Sequence, residues 1–349
     1  MYPLKFKPIY KEKIWGGVAL SNNFGRDLPS DSIGESWEIA AHQNGTSIIT
    51  NGRFAGQTLM EAIKEEGDRV LGSYAKEEYY DKFPLLVKIL DANAKLSVQV
   101  HPDDEYANKY ENGELGKTEM WYIIDAKEDA KLIYGVKPEI EKEEFAAAIK
   151  EGRLEDNLIE ITVKAGDVLY IPTGTVHAIE EGIVLAEIQQ NSDTTYRVYD
   201  WNRLGKDGKP RDLHIESALD VINFGRSPRE KVTGLEIRED GYIRRILVSC
   251  PYFTTETIDI INNYRDKTDG SRFYIIMGLA GEAKLLYDGG EFDLKAGETV
   301  LLPAELGEYK IKGECKLIKS YIRNPEELKA ELIEQGYSEK DINMIEGLQ

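Results

Sequence analysis

Short alternating runs of apolar and polar residues dominate the chain. They include SWEIAA, LLVKIL, MWYIID, VLYIP and IVLAEIQQ in the first part, and RRILVSC, FTTETIDI, RFYIIMG and ETVLLP in the second. Successive side chains of a β-strand point to opposite faces, so these runs predict half-buried strands, and the Gly, Pro and Asp residues between them predict turns. Many short strands joined by turns are typical of an antiparallel sandwich or barrel, so we expect a fold dominated by β-structure.

Helical patterns interrupt the strands in a few places. The segments TLMEAIKEEG and LHIESALDVINFG are two of them, and a third lies at about residues 138–158. Residues 324–349 predict two short C-terminal helices, the first with Asn324 as its cap and Pro325 at its first position.

Two segments of the chain repeat one another. VKAGDVLYIPTG (163–174) and LKAGETVLLPAE (294–305) match at a constant offset of 131 residues, and in both a Gly-acidic pair opens a strand that a proline ends. A duplicated β-unit explains this pattern. We therefore expect two related antiparallel β-units, namely residues 1–226 with the small helical segment and residues 227–323, followed by a helical tail, 324–349. The polar stretch around 227–240 is the expected linker.

Composition and charge limit the possible partners. The formal net charge is −19 and the sequence pI is about 4.8, which disfavours binding to nucleic acid. The two cysteines, Cys250 and Cys315, lie far apart without metal-type spacing, as in a reduced intracellular protein. No apolar run approaches the roughly 18–20 residues of a membrane span, and the N-terminus lacks a signal-peptide segment. We therefore expect a cytoplasmic protein, a monomer or weak homo-oligomer, that acts on a small molecule.

Candidate metal ligands occur on three predicted strands. In KLSVQVHPDDEYA, alternation places Gln99 and His101 on one face before Pro102 ends the strand. GDVLYIPTGTVH brings His177 onto a strand after a tight turn, with the glycine, proline and histidine spacing that resembles the second motif of the cupin superfamily. This resemblance implies that the two β-units are cupin-type jelly rolls, with His177 inside the barrel of the first. Glu119 opens the strand in GKTEMWYIID. Two imidazoles, a carboxylate and an amide oxygen suit a zinc ion that keeps room for water or substrate.

The second repeat differs at the corresponding point. The position 131 residues after His177 is Glu308, and no His or Gln pair precedes it. We therefore expect a metal only in the first unit.

Four motifs together resemble those of one enzyme family. LSVQVHPDDEYA, GKTEMWYI, AGDVLYIPTGTVHAI and NSDTTYRVYDWNR are similar to motifs of the type I mannose-6-phosphate isomerases in their short bacterial form, over about residues 13–222. The resemblance implies an aldose–ketose isomerase that interconverts mannose 6-phosphate and fructose 6-phosphate through a cis-enediol. It also implies one Zn²⁺ per chain, with the ligands Gln99, His101, Glu119 and His177.

The same resemblance implies further site residues. The active-site arginine falls on Arg197, which is always charged and suits an oxyanion or a phosphate. Lys117 lies two residues before Glu119 and shares its face. The other implied pocket residues are Trp15, Glu35, Lys88, Ser97 and Glu187. For Lys88 the alternative is a lysine that snorkels to solvent, and for Trp15 and Glu35 the alternative is plain packing and capping.

The general base is expected to be Glu187. In VLAEIQQ we expect Glu187 to face inward and Leu185 outward, and an apolar barrel interior is expected to raise the pKa of Glu187. His101 is the rival, but a metal-bound imidazole cannot accept a proton without leaving the metal. His42 and His214 lie outside every motif and are expected to be surface or structural residues.

Two alternative functions remain open. An Fe(II) dioxygenase of the cupin type usually needs three nitrogen ligands or a two-His carboxylate triad, and Gln99 argues against it. A non-catalytic or substrate-shifted metal cupin that binds another phosphosugar is the second alternative. Substitution of Arg197 separates this alternative from an isomerase, because an enzyme loses turnover while zinc stays bound.

Overall fold

The computed structural model describes residues 1–205, 208–226 and 230–348, which group into two compact units. The first unit consists of Tyr10–Ser36 and Lys88–Lys231, and the second of Met1–Ile9, Trp37–Val87 and Val232–Gln349. Each unit is thus built from separate stretches of the chain, whereas each expected domain was a single continuous stretch. The start of the expected linker, 227–229, lies outside the described residues.

Most of the secondary structure is β-strand, as predicted. In the described residues and in chain order the strands are β1 (Leu4–Lys7), β2 (Ile9–Gly17), β3 (Ile33–Ile39), β4 (Ala41–His42), β5 (Gly45–Thr46), β6 (Ile48–Ile49), β7 (Leu85–Ala92), β8 (Val98–Val100), β9 (Glu119–Ala126), β10 (Lys131–Val136), β11 (Leu158–Thr162), β12 (Val168–Ile171), β13 (His177–Ile179), β14 (Ile183–Gln190), β15 (Tyr196–Tyr199), β16 (Leu235–Glu239), β17 (Tyr242–Ser249), β18 (Thr254–Ile260), β19 (Asn263–Lys267), β20 (Tyr274–Tyr287), β21 (Gly290–Lys295), β22 (Thr299–Leu302) and β23 (Glu308–Tyr321).

The helices are few and short. They are α1 (Ala19–Phe24), α2 (Leu59–Glu66), α3 (Asp68–Leu71), α4 (Asp104–Tyr110), α5 (Lys142–Lys150), α6 (Ile215–Val221), α7 (Pro325–Glu334) and α8 (Glu339–Ile342). Single 3₁₀ turns lie at Gly52–Phe54, Glu77–Tyr80 and Leu154–Asn157. None of the described helices is long and apolar enough to cross a membrane.

Two antiparallel sheets form the first unit. One has the strand order β11-β10-β13-β8-β15 and the other β12-β9-β14-β7-β3-β2. Their inner faces share one apolar core, which contains Trp121 and Leu185 from the six-stranded sheet and Leu132 and Ile179 from the five-stranded sheet. Two sheets that pack face to face over a common core form the predicted jelly-roll arrangement.

Helices cover the outer face of the five-stranded sheet. Val98 and Val100 of β8 point to this face, where they are buried with Phe145 of α5 and Ala218 of α6. Because side chains alternate along a strand, Gln99 points to the opposite, inner face, as the sequence predicted. The predicted helical segment at 138–158 thus covers the strand that carries the first candidate ligand.

The second unit repeats the strand and turn that the sequence singled out. Strands β12 and β22 lie at the predicted offset of 131 residues. In both, the acidic residue before the strand accepts a backbone hydrogen bond from three residues earlier, Lys164 N to Asp167 Oδ2 and Lys295 N to Glu298 Oε2, each at 2.9 Å. The internal repeat is therefore a structural repeat.

Beyond that strand the two repeats shift by one residue. Tyr134, in the segment AKLIYGV, pairs with His177. The second repeat has the similar segment AKLLYD, and its tyrosine, Tyr287, pairs with Tyr309. Tyr309 is buried, whereas Glu308 is exposed. The expected equivalence of His177 with Glu308 is wrong, because one residue more lies between Leu302 and Tyr309 than between Ile171 and His177.

A ten-stranded sheet and the C-terminal helices build the rest of the second unit. The sheet order is β16-β17-β18-β23-β20-β22-β1-β6, with β19 paired to β23 and β21 to β20, and β4 and β5 form a separate pair. Asn324 caps α7 through its side chain and Pro325 is the first helical residue, as predicted. Helices α7 and α8 bury Leu328, Leu332 and Ile342 against Leu235 and Ile246 of the sheet. The tail therefore completes the hydrophobic core of this unit.

A glycine in the turn before β13 gives the first prediction. A Cβ atom on Gly174 would collide with the Asn223 amide and lie 2.7 Å from the Val221 carbonyl oxygen, and the φ of Gly174 is +79°. Gly166 has a φ of +90° but open space around it. We expect Gly174→Ala to lower the free energy of unfolding by about 3 kcal/mol and Gly166→Ala, the control for the backbone strain alone, by about 1 kcal/mol. Urea denaturation of both variants measures the difference, and equal losses would contradict the steric argument.

Candidate functional site

Three neighbouring strands of the five-stranded sheet present polar side chains at the same level. His177 of β13 pairs with Gln99 of β8, which pairs in turn with Arg197 of β15. Residues directly opposite in an antiparallel ladder point to the same face. His177, Gln99 and Arg197 therefore form a row on the inner face, and the row follows from strand register alone.

A carboxylate from the other sheet meets this row. The Glu119 Oε1 atom, on β9, lies 3.4 Å from His177 Nε2 and 3.7 Å from His101 Nε2. One ligand atom from each of these three residues lies within 4.8 Å of the others. All three side chains are almost fully buried. Residues from two sheets thus converge on one point, as the sequence predicted.

Backbone carbonyl groups orient the two imidazoles. His101 Nδ1 lies 2.9 Å from the Thr194 carbonyl oxygen, and His177 Nδ1 lies 2.9 Å from the Thr175 carbonyl oxygen. Each Nδ1 therefore donates its proton outward and leaves Nε2 with a lone pair toward the centre, as in metal-bound histidines. Burial lowers the pKa of His177 to about 4 and that of His101 well below its ordinary value, with Lys117 adding to the shift at His101. Both imidazoles are neutral near pH 7.

The Glu119 carboxylate shows that the cluster suits a cation. Its Oε1 accepts no hydrogen bond from any described residue, although the atom is buried. Burial raises the Glu119 pKa to about 7, against the effect of Lys117, whose Nζ lies 2.9 Å from Oε2. A buried carboxylate oxygen without a donor costs free energy unless a cation binds it. Two neutral imidazole nitrogens beside this oxygen fit a transition-metal ion.

Gln99 connects the cluster to a cavity. Its amide nitrogen lies 3.3 Å from His177 Nε2, and rotation of the amide by 180° directs Oε1 to the same point. The residue also lines a cavity of about 280 Å³. The cavity contains every pocket residue that the sequence predicted, namely Trp15, Glu35, Lys88, Ser97, Lys117, Glu187 and Arg197. It is also lined by six residues that were not predicted: Lys13, Leu90, Leu96, Asp193, Thr195 and Arg211.

Two of the missed residues share a strand face with a predicted one. Lys13 lies two residues before Trp15 on β2, and Thr195 lies two residues before Arg197. Strand alternation would have placed both beside the predicted residues. Lys13 Nζ lies 2.7 Å from Glu35 Oε1, so Glu35 is part of an ion pair at the cavity wall rather than a cap.

Lys88 and Glu187, which both line the cavity, form a buried ion pair. Lys88 Nζ lies 3.0 Å from Glu187 Oε1 and donates to Gln189 Oε1 at 2.7 Å, and Trp121 Nε1 donates to Glu187 Oε2 at 3.2 Å. Lys88 is buried, so the alternative of a lysine that snorkels to solvent is excluded. Burial disfavours its charge, but the carboxylates of Glu187 and Glu35 outweigh that effect and raise its pKa.

Two expectations about Glu187 are wrong. Burial alone would raise its pKa, but the charges of Lys117 and Lys88 outweigh burial and lower it, so Glu187 is ionised at neutral pH. Leu185 does not face outward, because it belongs to the same inner core as Trp121. Residues two apart on a strand share a face, so Leu185 and Glu187 both point inward.

Arg197 has part of its guanidinium group available to a ligand. Its Nη1 donates to the Asp212 carbonyl oxygen at 2.7 Å, whereas its buried Nε finds no acceptor among the described residues. Burial and the neighbouring Arg211 lower the Arg197 pKa. Asp200 fixes Arg211 through two hydrogen bonds of 2.5 and 2.7 Å. Two guanidinium groups close together in one cavity are an arrangement that an anionic ligand would stabilise.

The two remaining histidines do not line the cavity. His214 Nδ1 accepts a hydrogen bond from the Arg197 backbone N–H at 3.2 Å, and His42 Nδ1 accepts one from the Asn44 backbone N–H at 3.1 Å. Both contacts are made with the backbone, which agrees with the structural role expected for these histidines.

Comparisons with known proteins point to one enzyme family. The model of the "Phosphomannose isomerase type I, catalytic domain" matches residues 3–151, and the model of the "Mannose-6-phosphate isomerase, cupin domain" matches residues 243–322. The chain is 44% identical to the mannose-6-phosphate isomerase ManA of Bacillus subtilis over 320 residues, which are 92% of this chain and 99% of that protein. It is 41% identical to the mannose-6-phosphate isomerase of Streptococcus mutans over 319 residues, 91% and 98% of the two chains.

The fold is similar as well. The crystal structure of the Bacillus subtilis mannose 6-phosphate isomerase superposes with a TM-score of 0.86 at 41% identity, over 92% of this chain and 100% of that one. The similarity therefore extends through both jelly-roll units rather than over the candidate site alone.

Proposed function

The chain belongs to the type I mannose-6-phosphate isomerase family of enzymes, and we propose that it interconverts mannose 6-phosphate and fructose 6-phosphate with zinc as cofactor, through a cis-enediol. The observation that carries the zinc proposal is the buried cluster of two neutral imidazoles and one carboxylate oxygen without a hydrogen-bond donor. The cluster is connected through Gln99 to a cavity with several cationic side chains.

The proposed ligands of the single Zn²⁺ are His101, His177, Glu119 and, after rotation of its amide, Gln99. When bound, zinc supplies an electrophile that stabilises negative charge developing on the sugar oxygens. The neutral state of both imidazoles means that no proton has to leave them before the ion binds. Lys117, next to Glu119, holds a positive charge beside the same carboxylate.

The cavity suits a sugar phosphate in size and charge. Its volume of about 280 Å³ lies at the lower end of ligand pockets. We assign the phosphate to the cationic part of the cavity, with Arg197 as the main contact, because Arg197 lines the cavity together with Arg211. Lys88 and Ser97 are the further proposed substrate contacts, and Trp15 and Glu35 form the wall on β2 and β3.

Glu187 is the proposed general base. Isomerisation removes the proton from C2 of the aldose and returns a proton to C1, and an ionised carboxylate on the cavity wall is able to accept and return it. Lys88 and Trp121 fix the orientation of this carboxylate. Its lowered pKa keeps it ionised, so it begins the reaction in the required state. Lys117 supplies positive charge for the enediol oxygens.

The cellular setting is a separate part of the proposal. A cytoplasmic location fits the metabolic substrate. A monomer or weak homo-oligomer remains the predicted assembly.

Turnover and its dependence on zinc test the proposal directly. Formation of fructose 6-phosphate from mannose 6-phosphate is measured by coupling to a dehydrogenase, before and after chelation and after addition of zinc. We expect chelation to reduce kcat by roughly 1,000-fold, which corresponds to about 4 kcal/mol of transition-state stabilisation, and zinc to restore it. Magnesium, which prefers oxygen ligands in an octahedral arrangement, serves as the control ion and should not restore activity.

Two outcomes would count against the assignment. No turnover by a protein loaded with one zinc per chain would exclude mannose 6-phosphate as the substrate. Full turnover after complete removal of metal, verified by elemental analysis, would exclude zinc from the reaction.

A further inference from the structure

Six strands of the ten-stranded sheet in the second unit follow the same order as the six-stranded sheet of the first unit, which carries Glu119 and Glu187. In the first unit the order is β12-β9-β14-β7-β3-β2, and in the second it is β22-β20-β23-β18-β17-β16. Because β12 and β22 are the repeated strands, each strand of one series corresponds to one of the other. The correspondence shows which residues in the second unit take the places of the site residues.

Register assigns the first two of these positions. Ile171 pairs with Glu119, and the repeat of Ile171, Leu302, pairs with Tyr274. Tyr274 therefore stands where the first unit has its carboxylate ligand. Glu187 pairs with Trp121, two residues after Glu119, and Lys319 pairs with Ile276, two residues after Tyr274. Lys319 therefore stands where the first unit has Glu187.

Register also assigns the positions on the other ladder. Tyr309 takes the place of His177, as shown above, and it pairs with Asp266 as His177 pairs with Gln99. A histidine, a glutamine and a glutamate of the first unit are thus replaced by a tyrosine, an aspartate and a tyrosine. At these three described positions the second unit has side chains that carry oxygen atoms, two of them aromatic, in place of the imidazole, amide and carboxylate of the first.

The Lys319 ammonium group lies at that point. Its Nζ is 2.6 Å from Asp266 Oδ2, 3.3 Å from Glu256 Oε1 and 3.2 Å from the Tyr264 hydroxyl. It also lies 4.0 Å from the centre of the Tyr274 ring, a cation–π distance. The side chain is almost fully buried. The ammonium thus contacts the residues at the positions of Gln99 and Glu119.

We propose that the second unit retains a cation-binding cage, formed by Asp266, Glu256 and the rings of Tyr264 and Tyr274, and that its own Lys319 ammonium fills this cage in place of a metal ion. The ligand class of the cage is a primary ammonium group. Oxygen acceptors and aromatic faces without imidazole are the groups that recognise such a cation.

Further contacts complete the cage. Tyr264 and Tyr309 donate hydrogen bonds of 2.7 and 2.9 Å to the same Asp266 oxygen that Lys319 contacts. Arg244 forms an ion pair with Glu256. Two cations and two carboxylates therefore balance within the cluster. Burial disfavours the charge of Lys319, but the surrounding tyrosine and carboxylate oxygens outweigh burial and raise its pKa above the ordinary value.

An arrangement with inverted charge supports the comparison. In the first unit, Lys88 of β7 contacts Glu187 of β14. In the second unit, Glu256 of β18 contacts Lys319 of β23, on the corresponding strands. The two units thus share a buried ion pair of opposite polarity on corresponding strands.

Removal of the side chain and replacement by a free amine test the proposal. Lys319→Ala deletes a propylammonium group, and the control Lys312→Ala deletes an exposed lysine from the same strand. We expect Lys319→Ala to lower the midpoint of thermal unfolding by on the order of 10 °C. n-Propylammonium should recover part of this loss in a saturable way, whereas 1-propanol, of similar size and uncharged, should not. An equal effect of the two compounds on Lys319→Ala, or of the amine on both variants, would overturn the proposal.

A measurement on the unmodified protein remains informative if Lys319→Ala does not fold. With ¹⁵N-labelled lysine, the caged ammonium should give a resonance that exchanges slowly with water and is shifted by the tyrosine rings. The resonance should be absent from Lys319→Arg, which keeps the positive charge. A spectrum of the unmodified protein without any slowly exchanging ammonium resonance would overturn the cage.

Discussion

A His177→Ala variant is expected to retain less than stoichiometric zinc and to isomerise mannose 6-phosphate about 1,000-fold more slowly than the unmodified protein. His177 is the member of the cluster that contacts both Glu119, at 3.4 Å, and Gln99, at 3.3 Å. Its removal leaves three proposed ligands, of which Gln99 loses its contact with the cluster. The measurements are zinc per chain by elemental analysis and kcat by the coupled assay.

His42→Ala is the matched control for this variant. His42 is also buried, but it lies outside the cavity and contacts the Asn44 backbone. We expect His42→Ala to keep one zinc and near-normal kcat at temperatures well below unfolding. Added imidazole should restore part of the activity of His177→Ala, because the deleted ring leaves space for it. A zinc-free His177→Ala protein with normal kcat would show that the metal has no role in turnover.

Local rules place the candidate metal ligands within their own motifs. Alternation places Gln99 and His101 on one face, and the turn before β13 precedes the strand that begins with His177. The pairing of His177 with Gln99 joins residues 78 positions apart, so it depends on the sheet order. Glu119 needed only the expectation that the next strand begins there, which the structure confirms.

The electrostatics of the site could not be predicted from the same rules. The sequence suggested an apolar barrel that raises the Glu187 pKa, but Lys88 and Lys117 reach the same carboxylate and lower it. These contacts join residues about 70 to 100 positions apart, so they depend on the sheet order. Arg211, held by Asp200 beside Arg197, was missed because it lies outside any strand, where alternation makes no prediction.

The fold was predictable in its class but not in its boundaries. The repeated strands, the two jelly-roll units and the capped C-terminal helix follow from alternation, glycine turns and helix caps. The structure instead groups Trp37–Val87 with the C-terminal half, because short strands such as β6 pair with β1 in the second unit. One additional residue between Leu302 and Tyr309 was enough to misplace Glu308, since a shift of one residue reverses the face of every side chain on a strand.

Glu187→Gln is the second variant with a large expected effect. It should lower kcat by about 100- to 10,000-fold, the usual contribution of a general base, while one zinc per chain remains bound. Glutamine keeps the size of the side chain, and its single oxygen is able to accept the hydrogen bond from Lys88, while its amide nitrogen takes the place of the oxygen that accepts from Trp121. It cannot accept the C2 proton. The loss should therefore appear in kcat, with a smaller change in KM.

Exchange of the C2 hydrogen with solvent separates proton transfer from a general loss of structure. Substrate deuterated at C2 should lose its label slowly with Glu187→Gln and rapidly with the control variant Glu181→Gln. Glu181 is an exposed glutamate that pairs with Lys127.

The pH dependence of kcat gives a second test of the base. Lys117 and Lys88 lower the pKa of Glu187, so its carboxylate stays ionised at neutral pH. The unmodified enzyme should therefore show no loss of kcat from this group between pH 6 and 8, a range well above the ordinary glutamate pKa of about 4.3. Rapid exchange by zinc-loaded Glu187→Gln would assign the proton transfer to another group on the cavity wall, and Lys117, 2.9 Å from Glu119, would then be the next residue to substitute.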